Sequence, residues 1–375
     1  MSPLRAAESG EDMTELSYPT YFAGVLSADG YCSHLNGIYD PDDAWRTYLI
    51  KGGAGMGKST LMKGVTAALS ERGQRAVLIT CPSDPDSLDG VIFPDIKACI
   101  MDATAPHIVN PVYPELCEVI LNVGDHCDRD GLISSAAELI GINRRMQACY
   151  QRASRYISAI SSLKNDTYRI AYDCSDTKRA SNFAVQLASR LMPKRSGRGS
   201  EKTLFLSAVT PKGYLYHADT VGMVCDRVVA VEDEYGAVSQ AIMSSLRMAA
   251  VELGYDVIAC ASPFAPEEKT EQLLIPELKL GFVTQNRWLK TPVTDRIIHA
   301  RRFEDVAALH QKRQRLSFNR RAVNELIEGT VQTLQQAKSI HDELEKLYVG
   351  CMDFGAVNLR KEAVIKDLLK RVDKM

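Results

Sequence analysis

The chain has 375 residues, of which 45% are hydrophobic and 25% are charged, and its formal net charge is −2. This length suits two ordinary domains, and the near-neutral charge gives no reason to expect nucleic acid or an acidic membrane surface as a partner. No stretch approaches 18 uncharged apolar residues, so no transmembrane helix is predicted. The ten cysteines form no CxxC pair, which is typical of reduced thiols in a cytoplasmic protein.

The chain begins with an acidic segment that has no apolar core, and we expect residues 1–15 to form a disordered tail. Two copies of one unit follow this tail. "YFAGVLSADGYCSH" at 21–34 aligns with "LFLSAVTPKGYLYH" at 204–217, and "ERGQRAVLITCP" at 71–82 aligns with "ELGYDVIACASP" at 252–263. Because such matches keep their order and a nearly constant offset, they predict an internal duplication.

We expect each copy to form one domain, the first at 16–192 and the second at 203–375. A basic, Gly/Ser-rich linker is predicted between them at 193–202. A short extended segment opens each copy, and a strand, a helix and two further strands follow. In the first copy the helix is followed by the strands "AVLITC" (76–81) and "KACIMDA" (97–103). This alternation predicts two tandem α/β domains with parallel sheets, each a three-layer α/β/α sandwich of the P-loop NTPase type.

A long helical stretch closes each copy. In the second copy, apolar residues recur at steps of three and four from Leu316 to Leu347. The pattern predicts a helical hairpin that packs on its own domain or on the other copy. The alternative is a surface for a protein partner or for self-association.

A glycine-rich stretch, "GGAGMGKS" at 52–59, fits the P-loop pattern G-x-x-x-x-G-K-[ST] and lies between a predicted strand and a predicted helix. Glycines allow the backbone N–H groups to turn towards phosphates, and the positive end of the helix favours an anion. The predicted nucleotide-binding residues are Gly52, Gly53, Ala54, Gly55, Met56, Gly57, Lys58, Ser59 and Thr60. Lys58 is expected to reach the β- and γ-phosphates and to act in catalysis.

Two oxygen ligands are expected to hold Mg²⁺ at this loop. The hydroxyl of Ser59 is one, and the carboxylate of Asp102, which ends the apolar run "ACIM", is the other. We expect the strand that ends at Asp102 to lie beside the strand that precedes the loop. No guanine-reading [NT]KxD motif is present, which favours ATP over GTP.

An acidic loop, "CPSDPDSLDG" at 81–90, follows the second strand and carries Asp84, Asp86 and Asp89. Asp84 is the candidate catalytic acid, which could accept a proton or orient water. Turn formation by Asp, Pro and Ser is the alternative. His107 could contact a substrate, although a packing role is the stronger interpretation.

The second copy lacks the P-loop lysine. A position-by-position alignment places Asp233, Val238, Ser239 and Gln240 opposite Gly52, Gly57, Lys58 and Ser59. Thr284 stands opposite Asp102. We therefore expect one competent site and one degenerate copy, whose acids would repel phosphate.

The stretches "KGGAGMGKSTLMK", "CPSDPDSLDGVIFPDIK", "MDATAPH" and "HDELEKLYVGCMDF" resemble a family of duplicated P-loop proteins from spore-forming Gram-positive bacteria. Members of that family are labelled ATPases or ATP-binding proteins, and they often keep Gly-Lys-Ser in both copies. The resemblance implies a cytoplasmic, Mg-ATP-binding protein. An ATPase is the leading hypothesis, and a kinase with a small-molecule acceptor and a non-hydrolysing ATP sensor are the alternatives.

Overall fold

The computed structural model describes residues 18–374, so the tail expected at 1–15 lies outside the described residues. The chain divides into two compact units, each assembled from separate segments. Within the described residues, unit 1 combines 18–20 with Leu35–Ala148 and 336–374, and unit 2 combines Tyr21–His34 with Cys149–Gln335. The units therefore differ from the continuous domains expected at 16–192 and 203–375.

In chain order, the strands of the described residues are β1 (Thr20–Tyr21), β2 (Gly24–Ser27), β3 (Gly30–Ser33), β4 (Arg46–Lys51), β5 (Val77–Thr80), β6 (Leu88–Phe93), β7 (Ala98–Asp102), β8 (Glu118–Asn122), β9 (Glu201–Leu204), β10 (Ser207–Thr210), β11 (Gly213–Tyr216), β12 (Arg227–Glu232), β13 (Val257–Ser262), β14 (Ala265–Ile275), β15 (Leu280–Gln285) and β16 (Arg296–His299). The helices are α1 (Lys58–Ser70), α2 (Arg129–Ser134), α3 (Ala136–Asp173), α4 (Thr177–Leu191), α5 (Ala218–Val224), α6 (Ala237–Glu252), α7 (Val306–Gln311), α8 (Arg313–Val349) and α9 (Phe354–Val372).

The sheet of unit 1 has the strand order β1-β5-β6-β7-β4-β8. β4 is parallel to both β7 and β8, and Ile50 lies opposite Asp102 in the β4–β7 register. The expectation that the Asp102 strand lies beside the loop strand is confirmed. α1 buries Leu61, Met62 and Val65 against this sheet, as their helical spacing predicts.

The sheet of unit 2 has the strand order β16-β12-β15-β14-β13-β9. β12 is parallel to β15 and β16, as β4 is to β7 and β8, and α6 follows β12 as α1 follows β4. The two halves also share backbone details, because Lys97 and Lys279 both take positive φ values after equivalent short turns. The duplication therefore extends from the sequence to the local backbone.

The sheets are mixed, and the expectation of parallel sheets is wrong in this respect. β6 runs antiparallel to both β5 and β7, and β14 runs antiparallel to both β13 and β15. The connections around β6 are too short for a crossover helix, which a parallel pair requires. The acidic segment at 81–90, which was expected to form a loop, includes the first residues of β6.

The last helix of each sequence copy packs in the unit built around the other copy's sheet. α4 packs on α6 in unit 2, and α9 packs on α1 in unit 1. Within unit 2, Ile157 and Ile160 of α3 share a buried cluster with Val323 and Ile327 of α8. Both expected arrangements occur along α8, because Leu316 shares a buried cluster with Ala237 of its own copy, whereas Leu344 shares one with Leu139 of the other copy.

Candidate functional site

The glycine loop, defined as residues 52–59, connects β4 to the first turn of α1. Gly55 and Gly57 have φ values of 68° and 84°, in the left-handed region that favours glycine. Gly57 is the N-cap residue of α1, and no side chain caps this end of the helix among the described residues. The first N–H groups of α1 therefore lie at a helix end that attracts anions.

Lys58 folds back across the loop. Its Nζ donates hydrogen bonds to the carbonyl oxygens of Gly52 at 2.8 Å and Gly53 at 2.6 Å. The same nitrogen lies 3.5 Å from Oδ2 of Asp102, and both side chains are largely buried. The structure thus brings together the two charged residues that the sequence assigned to this site.

Asp102 and Ser59 are held by hydrogen bonds that leave oxygen lone pairs for a ligand. Oδ1 of Asp102 accepts the Thr104 N–H at 2.8 Å, and Oγ of Ser59 accepts the Leu88 N–H at 3.0 Å. The Thr104 hydroxyl donates to the Gly52 carbonyl at 3.0 Å, which ties the segment after β7 to the glycine loop. An oxygen donor set of this kind fits Mg²⁺.

Of the other predicted loop residues, Met56 and Ala54 pack within unit 1 and Thr60 is exposed. Met56 is buried, and its sulfur accepts the Gly53 N–H at 3.0 Å. Ala54 packs against a small apolar cluster that includes Leu139, whereas Thr60 is exposed in the first turn of α1.

Residues near the C-terminus pack on the glycine loop. A Cβ atom on Gly53 would lie 3.1 Å from the Tyr348 ring, and one on Gly55 would lie 3.1 Å from the carbonyl oxygen of Glu345. The glycines thus permit close packing as well as the loop conformation. The sequence analysis did not find this contact, because no local pattern links residues nearly 300 positions apart.

Asp84, the candidate catalytic acid, takes part in a turn and an ion pair. Its Oδ2 accepts the Ser87 hydroxyl at 2.9 Å and lies 3.6 Å from Nζ of Lys338. This geometry favours the alternative of turn formation.

Asp89 and His107 form a buried pair that the sequence analysis undervalued. Their side chains are 6% and 8% exposed, and Oδ2 of Asp89 lies 3.3 Å from Nε2 of His107. Burial raises the pKa of Asp89 to about 6, while His107 acts in the opposite direction. The available sequence signal was that the two residues belong to the polar segments that follow the second and third predicted strands.

The second copy has a shorter loop than the alignment assumed. Gly236 is the N-cap residue of α6 with φ of 90°, so it takes the place of Gly57 rather than that of Gly55. Ala237 then corresponds to Lys58, and the positions assigned to Val238 and Ser239 shift accordingly. The alignment was wrong by two residues, because it allowed no deletion between strand and helix.

The carboxylate of Asp233 binds the backbone N–H groups at the start of α6, where an external anion would otherwise bind. Oδ1 accepts the N–H groups of Tyr235 at 3.0 Å and Gly236 at 2.9 Å, and Oδ2 accepts the Ser239 N–H at 2.7 Å. The residue is 2% exposed. The acid therefore binds the donors that would otherwise face a phosphate, which is a more direct obstacle to phosphate binding than the expected repulsion.

No known protein family, curated protein or solved structure matched the chain in comparison. The family resemblance of its motifs remains a prediction. Across residues 18–374, no helix is long and apolar enough to cross a membrane.

Proposed function

We propose that unit 1 binds Mg-ATP at the glycine loop and hydrolyses it slowly, and that unit 2 is not a second nucleotide site. The observation that carries this proposal is the Lys58 ammonium, held on the glycine loop 3.5 Å from the Asp102 carboxylate. A lysine at this position can bind phosphate oxygens, and the loop backbone and helix end add further attraction for an anion.

The arrangement supports a P-loop NTPase-like fold for unit 1. β4 leads into the glycine loop, α1 follows it, and the neighbouring parallel strand β7 ends at Asp102. Ser59 and Asp102 would hold Mg²⁺, which neutralises phosphate charge when it is bound. Lys58 would exchange its bonds to the Gly52 and Gly53 carbonyls for bonds to phosphate oxygens, while Thr104 keeps the loop in position.

A cytoplasmic location belongs to the same proposal. All ten cysteines are free thiols, as expected for a protein of a reducing compartment where ATP is plentiful.

The test is phosphate release from Mg-ATP, measured together with equilibrium ATP binding. Lys58→Ala should weaken binding about 10- to 100-fold, as expected for the loss of hydrogen bonds worth about 1.5–3 kcal/mol to a charged group. Asp102→Ala should abolish phosphate release and should weaken ATP binding less than Lys58→Ala does. Lys63→Ala, which removes another lysine of α1, is the matched control. Equal ATP affinity in the wild type and Lys58→Ala would refute the site.

A small-molecule or nucleotide kinase is the second candidate. It is favoured by the position of β7 directly beside β4, which is the strand arrangement of the kinase and GTPase branch of P-loop folds. ATP labelled on the γ-phosphate separates the two functions. Label found only in inorganic phosphate supports the ATPase, and label found in an added metabolite pool supports the kinase.

A further inference from the structure

Three potential metal ligands meet at one end of the unit 1 sheet. Cys81 follows β5, Asp89 lies in β6 and His107 follows β7, so three adjacent strands position them. One ligand atom of each residue lies within 4.8 Å of the other two. The order of the strands in the sheet therefore brings these three residues close together.

The Asp89 carboxylate is buried, and one of its two oxygens has no hydrogen-bond donor within the described part of the chain. Among the described residues, its Oδ2 accepts no hydrogen bond, although Nε2 of His107 lies only 3.3 Å away. Leaving a buried carboxylate oxygen in this state costs free energy unless another group interacts with it. The groups that contact this carboxylate, His107 and Cys81, are themselves metal-ligand types, so a cation placed among the three would interact with this oxygen.

The distances suit a tetrahedral metal ion. With metal–nitrogen and metal–oxygen bonds of about 2.0–2.1 Å, two tetrahedral ligands lie about 3.3 Å apart. This is the observed separation of Asp89 Oδ2 and His107 Nε2. A set of one thiolate, one imidazole and one carboxylate favours zinc or a similar transition metal over Mg²⁺ or Ca²⁺.

The second copy has lost most of this cluster. The strand registers place Ser262 at the position of Cys81 and Glu271 at that of Asp89, and the sequence alignment places Leu289 at that of His107. The same copy lacks the loop lysine and the acid at the strand end. Two of the three candidate ligands are therefore absent from the copy that also lacks these loop residues.

We propose that Cys81, Asp89 and His107 bind one divalent transition-metal ion of the zinc type. Three protein ligands leave a fourth position for water or for another ligand atom. Binding converts the Cys81 thiol to a thiolate, so one proton is released from this residue for each ion bound. Its ligands are different residues from Ser59 and Asp102, which are proposed for Mg²⁺, although Asp89 lies close enough to Asp102 and Lys58 for their charges to act on it.

The experiment uses the full chain in a Cys32→Ser background. This background removes the thiol of another grouping, Cys32, His34 and Glu267, which could also attract metal. The protein is stripped with a chelator and titrated with Co²⁺, whose thiolate charge-transfer absorption reports a cysteine ligand. Zn²⁺ affinity and stoichiometry are then measured by competition with a chromophoric chelator.

One ion should bind per chain, with the charge-transfer band. Cys81→Ser should abolish the band, and His107→Gln and Asp89→Asn should weaken Zn²⁺ binding more than about 100-fold, since even residues behind the ligands contribute 10- to 100-fold. Cys127→Ser is the matched cysteine control and should bind as the background does. Circular dichroism confirms that each variant is folded.

Absence of a bound ion from the folded background protein, or an unchanged band in Cys81→Ser, would overturn the metal site. Lys58→Ala removes no proposed metal ligand and should still bind one ion with the charge-transfer band. A failure of ATP binding and a failure of metal binding are therefore distinguishable.

Discussion

The carboxylate of Asp233 should be one of the strongest single stabilising groups of unit 2. It accepts three backbone N–H groups at 2.7–3.0 Å in a site that is 2% exposed. Each hydrogen bond to a charged group contributes about 1.5–3 kcal/mol, but water can enter the space that alanine leaves. We therefore expect Asp233→Ala to lower the free energy of unfolding of unit 2 by about 3–5 kcal/mol.

Urea unfolding followed by tryptophan fluorescence measures this loss. The chain has two tryptophans, and a Trp45→Phe background leaves Trp288 as the reporter of unit 2. Asp233→Asn keeps one acceptor oxygen and should lose about half as much stability. A loss below about 1 kcal/mol in Asp233→Ala would refute the assigned role, because that is within the range of ordinary surface substitutions and weak caps.

Inorganic phosphate provides an independent readout of the same site. In Asp233→Ala the N–H groups of Tyr235, Gly236 and Ser239 lose their internal anion, so phosphate should bind there and restore stability. At ten times its dissociation constant the gain would be about 1.4 kcal/mol. The parent protein, whose carboxylate already occupies the position, should show no such gain in unit 2.

Three further perturbations test the physical account. Lys164 lines a cavity of about 1010 Å³ and contacts the Phe264 and Trp288 rings, and burial lowers the pKa of its amine to about 8. Lys164→Met should therefore stabilise unit 2 by about 1–2 kcal/mol at pH 7, measured by urea unfolding. This gain should fade as the pH rises from about 8 to 10.5, because the amine is then neutral first in the folded and finally also in the unfolded protein. Burial raises the pKa of Glu304 to about 7, and the charge of Asp233 raises it further in the same direction. The contribution of Glu304 to the free energy of unfolding should therefore fall as the pH rises from 4.5 to 7, and Glu304→Gln should flatten that part of the pH profile of stability. Gly55→Ala should cost unit 1 about 1–3 kcal/mol in thermal or urea unfolding, because the loop needs a φ of 68°.

The local chemistry of the candidate site could be predicted from the sequence, because each part is a short pattern with its own physical reason. The spacing of glycines and lysine predicted a turn between strand and helix, and the apolar run before Asp102 predicted a strand end beside it. The structure has both, with Ile50 opposite Asp102. β6 was missed because "LDGVIF" is short and follows a segment rich in turn residues.

The long-range features could not be predicted from local patterns. The periodicity of α8 indicates an apolar face but not which sheet that face covers, so the exchange of closing helices between the sequence copies remained one of two alternatives. The contact of Tyr348 with the glycine loop depends on this exchange. The two-residue deletion before Gly236 could not be recognised from the sequence, because this single glycine aligns as well with Gly55 as with Gly57.

A shared physical problem explains why the two loops have opposite charge. Each helix, α1 and α6, begins at a glycine in the left-handed conformation and presents its first N–H groups without a capping side chain at that glycine. Such a helix end is stabilised by an anion. In unit 2 the chain supplies the anion from Asp233, at the end of β12. In unit 1 the corresponding strand is followed by Gly52, which has no side chain to supply one, and the proposed phosphate would fill that role. An acid in place of the glycine at the proposed phosphate site is therefore what a copy would acquire when it keeps the helix and no longer binds the ligand.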